Sequence, residues 1–210
     1  MKDLPFNTVG IDAEEVSTLE QTYKLLKEKF NTRLLSNVNM HVNKFELFSN
    51  NPDTVIGGSL IINAPENTCY LTFIKNHFSV SAGGRGGGSQ NLDYDKYQVW
   101  AFVTLSKSFG RVLIRRKTLT DSILELVNHV ELKIEGDQQF NSKYYVIAND
   151  REKAIGGLTP ELRSVIMSIK NKELIIEIVN DTLIIGNATP INAALTVDLA
   201  EIANEIANVA

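Results

Sequence analysis

Two rhythms of apolar and polar positions run along this chain, and each change of rhythm marks a change of element. Over residues 12–30, Val16, Leu19, Tyr23, Leu26 and Phe30 step by three and four with Glu and Lys between them, which predicts an amphipathic helix with one inward face. Between residues 40 and 82 the pattern is that of strands. Val42, Phe45 and Leu47 run toward an Asn-Asn-Pro-Asp turn, and Leu60, Ile61 and Ile62 stop at Ala64-Pro65-Glu66-Asn67. Tyr70 to Ile74 leads through Asn76-His77 to Phe78, Ser79 and Val80, so a meander of hairpins is expected. Gly57-Gly58 inside an apolar run marks a bulge or a bend. Residues 97–105, YQVWAFVTL, read as a dense apolar strand anchored by Trp100, and residues 111–117 as another after a Ser108-Phe109-Gly110 turn. Residues 121–127 have local helical character, and Leu132 and Ile134 begin a second group of strands.

Residues 140–162, FNSKYYVIANDREKAIGGLTPEL, spell a strand, a short helix, a glycine stop and a capped helix. Tyr144, Tyr145, Val146 and Ile147 are strand formers, and Asn149-Asp150 then offers a helix cap. Gly156-Gly157 ends that helix, and Thr159-Pro160-Glu161 starts the next with a capping hydroxyl, a first-turn proline and a carboxylate. Leu162, Val165, Ile166 and Ile169 make one face apolar. Residues 174–185 read as a hairpin around Asn180-Asp181. In the closing helix, residues 192–209, Leu195, Leu199, Ile202, Ile206 and Val209 draw a narrow seam of the kind that pairs helices. That seam serves either a second copy of the chain or the chain's own sheet.

Phe140-Asn141, Asp150 and Leu158-Thr159-Pro160 carry a likeness to a known pattern: Phe-Asn before a strand, a strand ending in Asp, a short helix, then Leu-Thr-Pro opening a second helix ahead of a hairpin. In these features the C-terminal half resembles a domain recurring in uncharacterised bacterial proteins. The resemblance implies no catalytic residue. Many of those proteins possess transmembrane segments, whereas this chain has no apolar run near the ~18 residues that spanning requires.

The expected fold class is therefore α+β, with antiparallel sheet covered by helices. It forms either one continuous domain or two related sub-domains, 1–105 and 106–210, meeting near residues 105–111. A repeated phrase, Val42-Asn43-Lys44-Phe45-Glu46-Leu47 and Val127-Asn128-His129-Val130-Glu131-Leu132, is what a duplication would leave.

Composition narrows the function classes. The net charge of -4 and pI near 5.5 argue against a general attraction to nucleic acid, which needs a positive field. The first residues lack an apolar signal core, so a cytoplasmic protein is expected. Cys69, the single cysteine, reads as a small buried strand residue. His41, His77 and His129 lack the short spacing of a metal site, and no cofactor is expected.

Two segments offer candidate binding chemistry. The glycine run of residues 83–88, with Gly84, Arg85 and Gly86 at its centre, would present backbone N–H groups and a guanidinium to a phosphate, or would serve only as a flexible surface loop. Arg111, Arg115 and Lys117 share one face of a strand, which reads as an anion site, a solvated face or a protected edge. The leading expectation is a non-enzymatic cytoplasmic binding or assembly module that self-associates through the C-terminal helix. The alternative is a protein binding, or acting on, a small anionic or phosphorylated ligand through Gly84, Arg85, Gly86, Arg115 and Lys117.

Overall fold

Strand-forming runs separated by turns fold here into a single antiparallel sheet. The structure is a computed structural model, which describes residues 4–35, 41–49, 54–62, 69–83, 89–117 and 130–210. The strands are β1 (Thr32–Leu34), β2 (Val55–Ile62), β3 (Cys69–Gly83), β4 (Ser89–Thr104), β5 (Arg111–Arg116), β6 (Val130–Glu131), β7 (Tyr144–Ala148), β8 (Ile175–Val179) and β9 (Thr182–Gly186). Their order across the sheet is β1-β2-β3-β4-β9-β8-β5-β7-β6. The helices are α1 (Ala13–Lys29), α2 (Glu46–Ser49), α3 (Gln138–Lys143), α4 (Arg151–Gly157), α5 (Pro160–Ser168) and α6 (Ala193–Val209). The protein is thus α+β, and the sheet runs unbroken past residue 105 because β4 pairs with β9.

Period-two alternation gives the sheet two different faces. On the first, Leu71, Phe73, Val99, Ala101, Val112, Ile114, Ile176, Ile178, Leu183 and Ile185 pack with Leu19 and Leu26 of α1 and with Leu199, Ala203 and Ile206 of α6. The C-terminal seam is largely spent inside the molecule: Leu199 and Ile206 are buried, while Leu195 is 44% exposed. Small residues let α6 lie close, since Ala200, Ala203 and Ala207 are buried along it. On the second face Ile74, Trp100, Phe102 and Ile184 are covered by Phe45 and Phe48.

The helix starts follow their caps. Asp12, Asp150, Thr159 and Asn192 each accept a backbone N–H of the first turn, at α1, α4, α5 and α6 respectively. Asn180 takes a positive φ of 58° in the two-residue β8–β9 turn, as such a hairpin requires. The register slips between Ile56 and Gly58, so Gly57-Gly58 is a bulge. A Cβ on Gly57 would lie 2.1 Å from the Tyr97 hydroxyl, which explains the absence of a side chain there.

Three expectations are corrected. Residues 42–49 form a 3-10 turn and α2, not a strand; Phe45 and Phe48 are three apart, a helical spacing that brings both onto the sheet. No turn occurs at Asn76-His77, because β3 continues to Gly83 against β4, which begins at Ser89. β5 is an interior strand between β7 and β8, so it is no sheet edge, and Arg115 is buried within it. The expected helix at 121–127 lies outside the described residues. No helix among those described is long and apolar enough to cross a membrane.

Candidate functional site

Alternation along β8 sends Ile176 and Ile178 into the main core and leaves Glu177 on the second face, 2% exposed. A carboxylate there must find donors or carry a large desolvation cost. It accepts the backbone N–H groups of Glu46 and Leu47 at 3.0 and 3.2 Å and the Arg111 Nη1–H at 2.7 Å. Burial lifts the Glu177 pKa above the usual carboxylate range, while those N–H groups and the guanidinium act against the rise. Arg111 also donates to the Lys44 carbonyl at 2.8 Å and lies 3.4 Å from the Glu46 carboxylate. Lys44 Nζ reaches the Thr182 hydroxyl at 3.1 Å. Phe45 meets Phe102 and Phe48 meets Trp100 edge-on, with ring centroids 5.9 and 5.1 Å apart. Residues 41–49 are thereby pinned on the sheet by one carboxylate, one guanidinium and two rings.

A second buried carboxylate, Glu15, fastens α1 to β4 by accepting the Tyr97 N–H. Burial raises its pKa as well. The Tyr97 hydroxyl donates to the Asn7 carbonyl at 2.7 Å, and burial pushes its pKa up to about 12. Beside this joint lies a surface concavity of about 200 Å³, lined by Asp12, Glu14, Glu15, Thr18 and Lys96.

β3 and β4 extend together past their neighbours. β2 pairs with β3 only as far as Lys75, and β9 pairs with β4 only from Trp100 onward. Among the described residues, 76–83 and 89–96 therefore pair only with each other, as a two-stranded ribbon about 27 Å long at the usual rise. In its register Phe78 stands across from Tyr94 and Val80 from Leu92. At its base Asp95 binds Lys75 and His77, each at 2.8 Å, and these two partners hold its carboxyl below the usual range.

The residues expected from sequence fall in two places. Gly84, Arg85 and Gly86 lie outside the described residues, between the ends of the ribbon. Arg115 and Lys117 are together on β5 and its C-terminal flank, around Tyr145, at 5.3 and 4.7 Å from its ring centroid. Arg115 is only 3% exposed. Its row runs through Ile175 and Gly186 to Trp100, and Ser89 lies eleven residues farther along β4, about 35 Å by strand rise. The described structure does not bring the basic pair to the ribbon end. Cys69 is buried, and desolvation pushes its thiol up to about 12, so it stays protonated and unreactive. Sequence reasoning passed over both Glu177 and Glu15. The available signal for Glu177 was a lone carboxylate inside the apolar run IIEIV.

No family model matches this chain, and no curated protein matches it. Among solved structures, the crystal structure of the mycobacterial trehalose monomycolate transport factor A, TtfA, is similar to it. The TM-score is 0.57 over 90% of this chain and 92% of that one, at 8% identity. At this identity the likeness establishes a shared fold.

Proposed function

We propose that this chain is a non-enzymatic binding or assembly module whose recognition arm is the β3–β4 ribbon. The observation that carries the reading is the ribbon's length beyond the sheet. Six residue pairs, from 78–94 to 83–89, make no ladder with the rest of the described fold, and strand edges of that kind are used by proteins to join other chains. Three perturbed acids support it by serving architecture: Glu15 ties α1 to β4, Glu177 ties α2 to the sheet, and Asp137 caps α3. The fold shared with TtfA, a factor named for transport, fits an accessory role.

A ribbon-less variant, with His77 joined to Asp95 through Asn-Gly so that the Lys75–Asp95–His77 cluster is kept, tests this. The full chain, isolated from its host and weighed by native mass spectrometry, is expected in a defined complex. The shortened chain is expected alone, with an unchanged thermal midpoint. Recovery of the same complex without the ribbon, or of the intact chain alone, ends the reading.

Assembly through α6 remains the other form of this proposal, favoured by exposed Leu195 and by a groove between α1 and α6 whose apolar floor of Leu25, Ala194 and Val197 is flanked by Glu28, Lys29 and Asp198. Light scattering distinguishes it, because Leu195→Glu would then convert a dimer to a monomer while the ribbon-less chain stays dimeric.

A further inference from the structure

The ribbon has two outer edges, and they differ in chemistry. The β4 edge carries Asp93 and runs on into Asp95 and Lys96. Charges of that kind keep an exposed strand from pairing with another chain. The β3 edge from Phe78 to Gly83 reads Phe-Ser-Val-Ser-Ala-Gly, with no charged residue and no proline. Among the described residues it makes no ladder except with β4, because β2 pairs with β3 only as far as Lys75. A two-stranded ribbon is marginal in water unless further strands or a covering layer support it. The β3 edge is therefore the one built without a guard against pairing.

Its sequence also selects the neighbour. Phe78-Ser79-Val80-Ser81-Ala82 is close to palindromic about Val80. Two antiparallel copies related by a twofold axis through Val80 match residue for residue: Val80 against Val80, Ser79 against Ser81, and Phe78 against Ala82. Opposed residues then share parity, so the face holding positions 78, 80 and 82 stays continuous across the junction, as does the serine face. A β-branched pair, two hydroxyl pairs and a large residue against a small one are favourable cross-strand neighbours, and no like charges meet.

We infer that this chain forms a twofold dimer by antiparallel pairing of its β3 edges with Val80 at the axis, which joins the two ribbons into one four-stranded sheet in the order β4-β3-β3-β4. The inference rests on the ribbon being the recognition arm, and it names a second copy of the chain as what that arm recognises.

The test uses the purified full chain, free of other proteins. Sedimentation velocity over a concentration series is expected to show a monomer–dimer equilibrium. Val80→Lys sets two like charges at the axis and should leave only monomer, as should Val80→Glu. An equimolar mixture of these two variants should recover a dimer, which native mass spectrometry identifies by mass as the mixed pair. Val80→Cys gives an independent reading. Opposed Cα atoms in an antiparallel pair lie about 4.5–5.5 Å apart, within disulfide reach, so mild oxidation should cross-link this variant. Ala82→Cys alone should not cross-link, because its two copies sit about 13 Å apart along the strands, whereas mixed with Phe78→Cys it should. Cys69 is buried and supplies no competing thiol. A purified chain that stays monomeric, a dimer that survives Val80→Lys, or one that Val80→Cys does not cross-link overturns the inference. The ribbon's role as recognition arm is judged separately: it stands if the ribbon-less chain loses its complex from the host, and a ribbon-less chain that keeps the complex ends both.

Discussion

At the scale of single residues, the acids divide by the sign of their pKa shift, and each class has its own pH signature. Glu15 lies above its ordinary value, chiefly through burial, so the native state holds that proton more tightly than the unfolded chain does. Its ionised form detracts from stability at neutral pH, and the penalty disappears as pH falls through the raised value. Glu15→Gln retains an acceptor for the Tyr97 N–H. It is expected to equal or exceed the native chain in urea midpoint at pH 7, with the difference shrinking as pH falls toward the ordinary carboxylate range. Asp137 is the opposite case, because the Phe140 N–H first and Arg163 second hold its carboxyl below the ordinary range. Its contribution is complete above the unfolded pKa and is lost as pH falls through the lowered one. Asp137→Asn keeps a capping oxygen and removes the charge facing Arg163, so it should cost about 0.5 kcal/mol at pH 7 and progressively less in acid, as denaturant titrations at several pH values would show. Caps such as Asp150 and Thr159 were legible in the sequence because a cap and its helix are neighbours. The partners of Glu15 and Glu177 were not legible: Tyr97 and Leu47 lie 82 and 130 residues away, and only the sheet brings them near.

Among elements, most came out as read from local grammar, and the misreadings lie where pairing or packing with distant residues overrides it. The run from β7 through α5 and the β8–β9 hairpin follow from strand formers, caps and a turn residue with positive φ. Asn76-His77, by contrast, looked like a turn because its residues are polar. Continued pairing with Lys96 and Asp95 keeps it extended. Likewise β5 gave no sign of being interior, since Arg115 is charged but stacks on Tyr145 and is shielded by neighbouring strands. Two substitutions test elements separately. Thr159→Ala removes the α5 cap and should cost about 1 kcal/mol without altering the sheet. Gly57→Ala forces a methyl against the Tyr97 ring at the bulge, and a loss of about 1–3 kcal/mol is expected from the lowered urea midpoint.

Across the whole molecule, one sheet and one large first-face core join N-terminal and C-terminal residues: α6, from the end of the chain, packs on α1, β3, β4 and β9. Calorimetric and van't Hoff enthalpies should therefore agree in a single unfolding transition, and Leu199→Ala, which opens a cavity beneath α6, should lower its midpoint without splitting it. The order of strands also has a consequence for biosynthesis. β9 and β8 insert between β4 and β5, so the centre of the sheet is filled by a hairpin translated long after both of its neighbours. On the ribosome, β4 must wait with an open flank until Gly186 has left the exit tunnel, and a nascent chain stalled before that point would be the species that most needs a chaperone.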